Sequence, residues 1–377
     1  MSVVKLGKKS IDFLGNQVGL IINEIACRVN YNIARNFLKE HPQPEISTCE
    51  KKEINTFWRE YNIKYPDYSW FVMYYGVTGV HDPRFIPDPI LAKICYKYYN
   101  FESHIKGWDD KNVYERLVFN ATFPYSLCHC INGKYYDNKW NYFNNNSLLH
   151  LSEKIFSELE GDIDIICKES CGSFAGRGIK KVPVNSAEEV FCFLRNHKSK
   201  NYILQRRVIQ HSFFDQFNPT SANIIRVISF RHNGVINILS ATIRFGIEGS
   251  FTDVAYVNGK EITNAVGIDK NGYVKDRFVS FDGNNDVNPQ IKEKKVPSWI
   301  NLIETVKKAH QDLLFFDFVA WDFMIDKEGS PICIEYNIWR PGTMLYQFAN
   351  GPLAGEKTDS FLDFLKKSKK IPLLFRL

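Results

Sequence analysis

The chain has 377 residues, 44% hydrophobic and 24% charged, which makes it too long for one small core and too apolar for a disordered chain. Its net charge of +6, on 48 basic and 42 acidic residues, is mild and dispersed; it suits anionic small molecules and argues against nucleic acid as a partner. The nine cysteines are scattered without two zinc-ligand halves, and the odd count implies reduced thiols and a cytoplasmic protein.

Residues 1–110 read as a mostly helical N-terminal region. Segments 11–39, 49–62 and 88–100 are amphipathic, separated by breaks at His41-Pro42-Gln43-Pro44, Pro66 and Asp82-Pro83. Lys5, Lys8 and Lys9 precede an apolar stretch interrupted by Asp12, Asn16 and Gln17, so no secretory signal is expected. That stretch reads as a docking helix or as a membrane-surface contact. No run approaches the ~18 apolar residues of a transmembrane segment.

From about 125 the pattern becomes α+β. Residues 163–168 read as a strand, Ser186–Arg195 as a helix opened by a Ser/Glu cap, and Tyr202–Ile209 as a strand linking two lobes. Between them, Glu169–Ile179 holds Ser170, Gly172, Ser173, Gly176 and Gly178, a loop whose backbone N–H groups can approach phosphate. It lacks the Gly-Lys-Ser/Thr of a P-loop. Lys168, ending a buried strand, needs an anionic partner, and phosphate supplies one. The linker can offer backbone groups to an adenine edge, or be an ordinary core strand.

Residues 224–231, 235–244 and 253–257 read as antiparallel strands turning at Asn233-Gly234 and Asn258-Gly259. Pro297 opens a helix with apolar Ile300, Ile303, Val306 and Leu313/Leu314. Next comes a hairpin, 320–337, with its turn centred on Glu328-Gly329. That register sets Asp322 opposite Glu335, with Asn337 further along the same face. Two facing carboxylates repel unless a cation lies between them, and three oxygen donors suit Mg²⁺. A final helix is expected over 358–368.

The ordered set of parts resembles the ATP-grasp superfamily. More narrowly, it resembles the sugar-transfer-associated ATP-grasp family found with bacterial surface-polysaccharide genes. The resemblance covers about 50–355 and is carried by Trp58, Thr78-Gly79, Asp82–Pro87, Asp110-Lys111-Asn112, Ile131–Tyr136 and Ile166-Cys167-Lys168. It continues through Asn223, Arg226, Arg244-Phe245-Gly246, Trp321-Asp322 and Glu335-Tyr336-Asn337. It implies an α+β ATP-grasp fold of two lobes clasping ATP: a small lobe with the phosphate loop over 111–210 and a large lobe with the metal site over 211–377. Lys111 and Lys168 match the paired phosphate lysines, with Ser170, Gly172, Ser173 and Gly176 in the phosphate loop. Gln205, Arg206 and Val208 match the adenine contacts. Asp322, Glu335 and Asn337 match the Mg²⁺ ligands, and Arg226 and Arg244 the arginines at the transferring phosphoryl group. The chain departs from the family pattern at Phe174-Ala175, at Thr252–Ala255 (where an Asp-Asn is expected) and at Gly259, which stands alone where a Gly-Gly is expected. The last two departures fall on the acceptor side.

The implied chemistry is carboxylate–amine ligation through an acylphosphate, with ADP and phosphate released. The implied substrates are a carboxylated sugar and an amine in capsule or other surface-polysaccharide biosynthesis, with a possible peripheral contact to lipid-linked glycan. Two alternatives stay open: phosphoryl transfer to a hydroxyl, and a non-catalytic nucleotide-binding component of a glycan assembly complex. No general base is identified; His211, His232 and His310 qualify by residue type alone.

Overall fold

The computed structural model describes residues 32–63, 67–159, 161, 164–172, 176–281, 283 and 285–367. They form two compact units: residues up to Tyr98 together with those from Gly342 onward, and Tyr99–Pro341. The division expected at 110/111 is not the one the contacts make, and the residues from Gly342, expected in the large lobe, join the N-terminal helices. Gln347 shows why. Its fully buried amide donates to the Tyr74 hydroxyl and the Ile86 carbonyl and accepts from the Ile86 N–H, each at 2.9 Å. A buried amide must find such partners, and they lie in the N-terminal unit.

That unit is helical among the described residues. Of the segment expected over 11–39, residues 11–31 lie outside the described residues and 32–40 are helical. Helix α1 (Thr48–Glu60) starts at a capping box made by Ser47 and Glu50, which satisfies N–H groups that the first turn leaves open. Helix α2 (Tyr68–Thr78) starts at Asp67 and stops at Gly79, whose φ of +68° a Cβ would disfavour. Trp58, Trp70, Tyr74 and Phe85 are buried, and the last two stack with centroids 4.8 Å apart.

The second unit is built on two antiparallel sheets. The smaller contains β1 (Ser126–Ile131), β2 (Lys134–Asp137), β3 (Tyr142–Phe143), β4 (Asp164–Glu169), β5 (Ile179–Pro183) and β6 (Tyr202–Arg206), in the order β3-β2-β1-β6-β4-β5. The larger contains β7 (Ile224–His232) and β8 (Val235–Phe245). After a separate two-stranded ribbon, β9 (Ala255–Val257) and β10 (Lys260–Ile262), it takes in β11 (Asn264–Ile268), β12 (Val274–Ser280), β13 (Asn285–Val287), β14 (Phe318–Ile325) and β15 (Pro331–Asn337). Their order is β13-β12-β11-β8-β7-β14-β15. The turns at Asn233-Gly234 and Asn258-Gly259 have positive φ at both residues, as two-residue hairpins require.

Helices cover one face of each sheet. In the small sheet Leu127, Ile165, Cys167, Tyr202 and Leu204 pack with residues of α3 (Leu148–Ser157) and α4 (Ala187–Asn196), the latter capped by Ser186. In the large sheet Val227, Trp321 and Phe323 pack with α5 (Trp299–Asp312). The side chains one step along each strand, Lys168 and Gln205 in one sheet and Arg226 and Asp322 in the other, therefore fall on the opposite faces.

Three expectations shift. The buried stripe of α5 is Trp299, Leu302, Val306 and Ala309, whereas Ile300 and Leu314 are 66% and 73% exposed. One residue of offset turns a helical side chain about 100°, from core to solvent. Strand β6 ends at Arg206 rather than Ile209. The Ile209 carbonyl instead accepts from Lys327 N–H at 2.9 Å, carrying the chain over to the second sheet. The hairpin turn is Lys327–Gly329, one residue longer than expected, with the Asp326 N–H bonded to the Ser330 carbonyl and Gly329 at φ +87°. No helix among the described residues is long and apolar enough to cross a membrane.

Candidate nucleotide and metal site

Strand order decides which charges meet. Strand β14 lies between β7 and β15, so Asp322 has Arg226 opposite on one side and Glu335 on the other. The longer turn alone would slip that pairing by one residue. A bulge between Asp322 and Phe323, which leaves Ile334 as the extra residue, restores it. Arg226 grips Asp322 with Nε and Nη2 at 2.5 and 2.6 Å, and Asn337 Nδ2 donates to Asp322 Oδ2 at 3.1 Å.

The lysines arrive from the small-sheet side. Lys111 sits in the 3-10 turn Lys111–Val113, capped by Asp110, and its N–H donates to the Ser170 carbonyl at 2.9 Å. Its Nζ reaches Glu335 Oε1 at 3.0 Å. Burial opposes the Lys111 charge, but Glu335 together with Asp109 and Cys171 outweighs it and holds the ammonium above the usual lysine range. Lys168, at the inner end of β4 and 6% exposed, has no hydrogen-bond or ion-pair partner among the described residues. Burial pulls it down to about 8; the Glu335 carboxylate opposes that shift, and repulsion by Lys111 adds to it.

Around the glycine-rich loop, Ser170 is buried and its N–H donates to the Asn201 carbonyl at 3.1 Å. Gly172 and Gly176 have φ of +69° and +72°, and a Cβ on Gly176 would lie 3.2 Å from Thr252 Oγ1. Ser173 lies outside the described residues. The Gln205 amide donates to the Pro124 carbonyl at 3.2 Å, so this side chain holds β6 to the segment entering β1. Arg206 lies over the Tyr125 ring at 4.2 Å, and its N–H donates to the Tyr125 carbonyl. Val208 follows the end of β6, where its N–H has no backbone partner among the described residues.

Arg244, on β8, pairs through Nη2 with Asp253 at 2.9 Å, while its Nε is buried and has no hydrogen-bond partner among the described residues. Burial, reinforced by the neighbouring Arg226 charge, lowers its proton affinity. Asp253 is the site residue that sequence reasoning passed over. It was visible only as the second of two acids, after Glu248, in the segment that follows Arg244-Phe245-Gly246. Asp109, pushed up to about 6 by burial, stands near Lys111 and Glu335 and was likewise missed.

The three histidines singled out by type do not enter the site. His310 is buried, with Nδ1 2.6 Å from Ser229 Oγ and Nε2 2.9 Å from the Phe316 carbonyl, and burial lowers it to about 3. His211 caps a turn by accepting from the Phe213 N–H, and His232 ends β7.

Among the described residues no three His, Cys, Asp or Glu side chains gather as a metal cluster. The oxygen set is two carboxylates and an amide. Asn337 spends its nitrogen on Asp322, leaving its carbonyl oxygen available, so Asp322, Glu335 and Asn337 fit a hard divalent cation by donor chemistry.

No curated protein matches the chain. Among solved structures it is similar to D-alanyl-alanine synthetase A from Vibrio cholerae, with TM-score 0.43 and 15% identity over 71% of this chain and 67% of that one. It is similar also to the biotin carboxylase domain of the Hydrogenobacter thermophilus 2-oxoglutarate carboxylase, with TM-score 0.42 and 12% identity over 73% and 49%. A third is the VanG D-Ala:D-Ser ligase from Enterococcus faecalis, with TM-score 0.39 and 13% identity over 68% and 60%. The chain thus spans about half to two thirds of these proteins' lengths. Residues 93–361 match the family described as sugar-transfer associated ATP-grasp, and the chain belongs to that family of ATP-grasp enzymes, with its α+β fold and a helical N-terminal region.

Proposed function

We propose that the protein is an ATP-dependent carboxylate–amine ligase that works through an acylphosphate. Its proposed substrates are an acidic sugar and an amino compound in surface-polysaccharide biosynthesis. The observation that carries this reading is Lys168: a buried lysine with no hydrogen-bond or ion-pair partner for its side chain among the described residues, beside the Lys111–Glu335 and Arg226–Asp322 ion pairs. A cation kept in that state at a cost in stability is explained by a phosphate it is there to bind.

Lys111 and Lys168 hold the ATP phosphates, aided by backbone groups of Ser170, Gly172, Ser173 and Gly176. Gln205, Arg206 and Val208 border the adenine. Asp322, Glu335 and Asn337 would hold Mg²⁺, which supplies charge neutralisation on the phosphate oxygens. The substrate carboxylate forms a bond to the γ-phosphorus as the bond to the β-phosphate oxygen breaks and ADP leaves. Arg226 and Arg244 stabilise the charge on the transferring group. The amine then attacks the acyl carbon, phosphate departs, and the nitrogen loses its proton to give the amide.

Incubation with ATP, a panel of uronic acids and a panel of amino acids tests the reading. The expected result is ADP and free phosphate in equal amounts, with a product whose mass is acid plus amine minus water. A stable phosphorylated acceptor without free phosphate would replace ligation by phosphotransfer to a hydroxyl. Absence of nucleotide turnover and binding would remove the reading altogether.

A further inference from the structure

The loop after β8 delivers one carboxylate into the arginine pair, and much of the surrounding structure braces it. Asn218 is buried and donates to the Gly246 and Ile247 carbonyls at 3.0 and 2.8 Å. Gly246 N–H donates to Ser221 Oγ at 3.3 Å, and Ala222 N–H to the Phe251 carbonyl at 2.9 Å. A Cβ on Gly246 would overlap Ser250 Oγ and the Thr252 carbonyl oxygen, so the glycine of Arg244-Phe245-Gly246 lets the loop fold back. The residue placed there is Asp253, 2.9 Å from Arg244 Nη2.

A half-buried and a buried guanidinium whose charges act on one another repel. Arg226 is neutralised through both of its arms by Asp322. Arg244 has one arm on Asp253, and its Nε has no hydrogen-bond partner among the described residues. An orphaned buried donor is costly, and such a group points to a ligand.

We infer that Asp253 is a positioning residue for Arg244: by taking Nη2 it keeps the guanidinium beside Arg226 and leaves Nε as the donor for the γ-phosphoryl group. This rests on the nucleotide reading given above. It assigns a role to the segment where the chain departs from the family pattern. Asp253 touches no reacting atom; it acts through Arg244.

The test is calorimetry on the full chain with two probes, MgADP and the Mg²⁺ complex of β,γ-imido ATP, which differ in the γ-phosphoryl group. Asp253→Asn should weaken the imido analogue roughly tenfold, the scale of a charge-assisted hydrogen bond, while MgADP affinity stays at the wild-type value; the thermal midpoint falls, because Arg244 loses its carboxylate. Asp253→Glu should recover part of the loss. Unchanged or tighter analogue binding in Asp253→Asn would overturn the inference. So would equal losses for both nucleotides, which would make Asp253 a loop brace. If the wild-type chain binds neither nucleotide, the nucleotide reading itself fails; binding of both with no change in Asp253→Asn sinks this inference alone.

Discussion

Lys168→Met should stabilise the protein near neutral pH while removing nucleotide binding. Lys168 has its proton affinity lowered from 10.5 to about 8, with burial as the main cause. Its folded value lies below its unfolded one, so the unfolded chain binds the proton more tightly. The cost is present in full below pH 8 and fades as pH rises from about 8 to 10.5. At about 1.4 kcal/mol per decade of proton affinity, the gap corresponds to about 3 kcal/mol at pH 7 and about 1 kcal/mol at pH 10. Methionine keeps the length and removes the charge, and its packing contribution is the same at both pH values, so the change between them isolates the charge. Urea unfolding of both proteins at pH 7 and pH 10 reads it directly. The same lysine predicts proton uptake when phosphate binds near pH 8.5, visible as a dependence of binding heat on buffer ionisation enthalpy. If Lys168→Met is the less stable protein at pH 7, or keeps its whole advantage at pH 10, Lys168 is not a cation awaiting phosphate.

Asp322→Asn should lose ATP turnover and also lower the stability read by urea unfolding by about 3 kcal/mol, because it deprives the largely enclosed Arg226 of the carboxylate that takes both its arms. Glu335→Gln should keep ATP binding but lose its Mg²⁺ dependence, measured by calorimetry with and without the ion. His310→Gln should cost about 1–3 kcal/mol by disturbing the bonds to Ser229 and the Phe316 carbonyl, with turnover per folded molecule unchanged. A selective loss of turnover in that variant would return His310 to the chemistry.

Short-range features were legible in the residues alone. The Asn-Gly turns at 233–234 and 258–259, the Ser186 cap and the pairing of Asp322 with Glu335 each depend on neighbours within one hairpin or helix end, where backbone geometry and side-chain period leave few solutions. Even there the pairing was reached by a turn and a bulge that compensate each other, a detail the pattern of apolar residues does not encode. The acid at 253 illustrates the limit: nothing in its immediate sequence distinguishes the counter-ion of a buried arginine from a solvated loop residue.

Local sequence, then, determined the hairpins, most helix ends and the alternation that puts Lys168 and Asp322 on helix-free faces. Tertiary structure decided that Arg226 meets Asp322, that Lys111 reaches Glu335, that Arg244 finds Asp253, and that the residues from Gly342 join the N-terminal helices. Most of these meetings join residues far apart in the chain. They follow from the order of strands in a sheet and from which buried polar groups find partners, and both depend on the assembled whole.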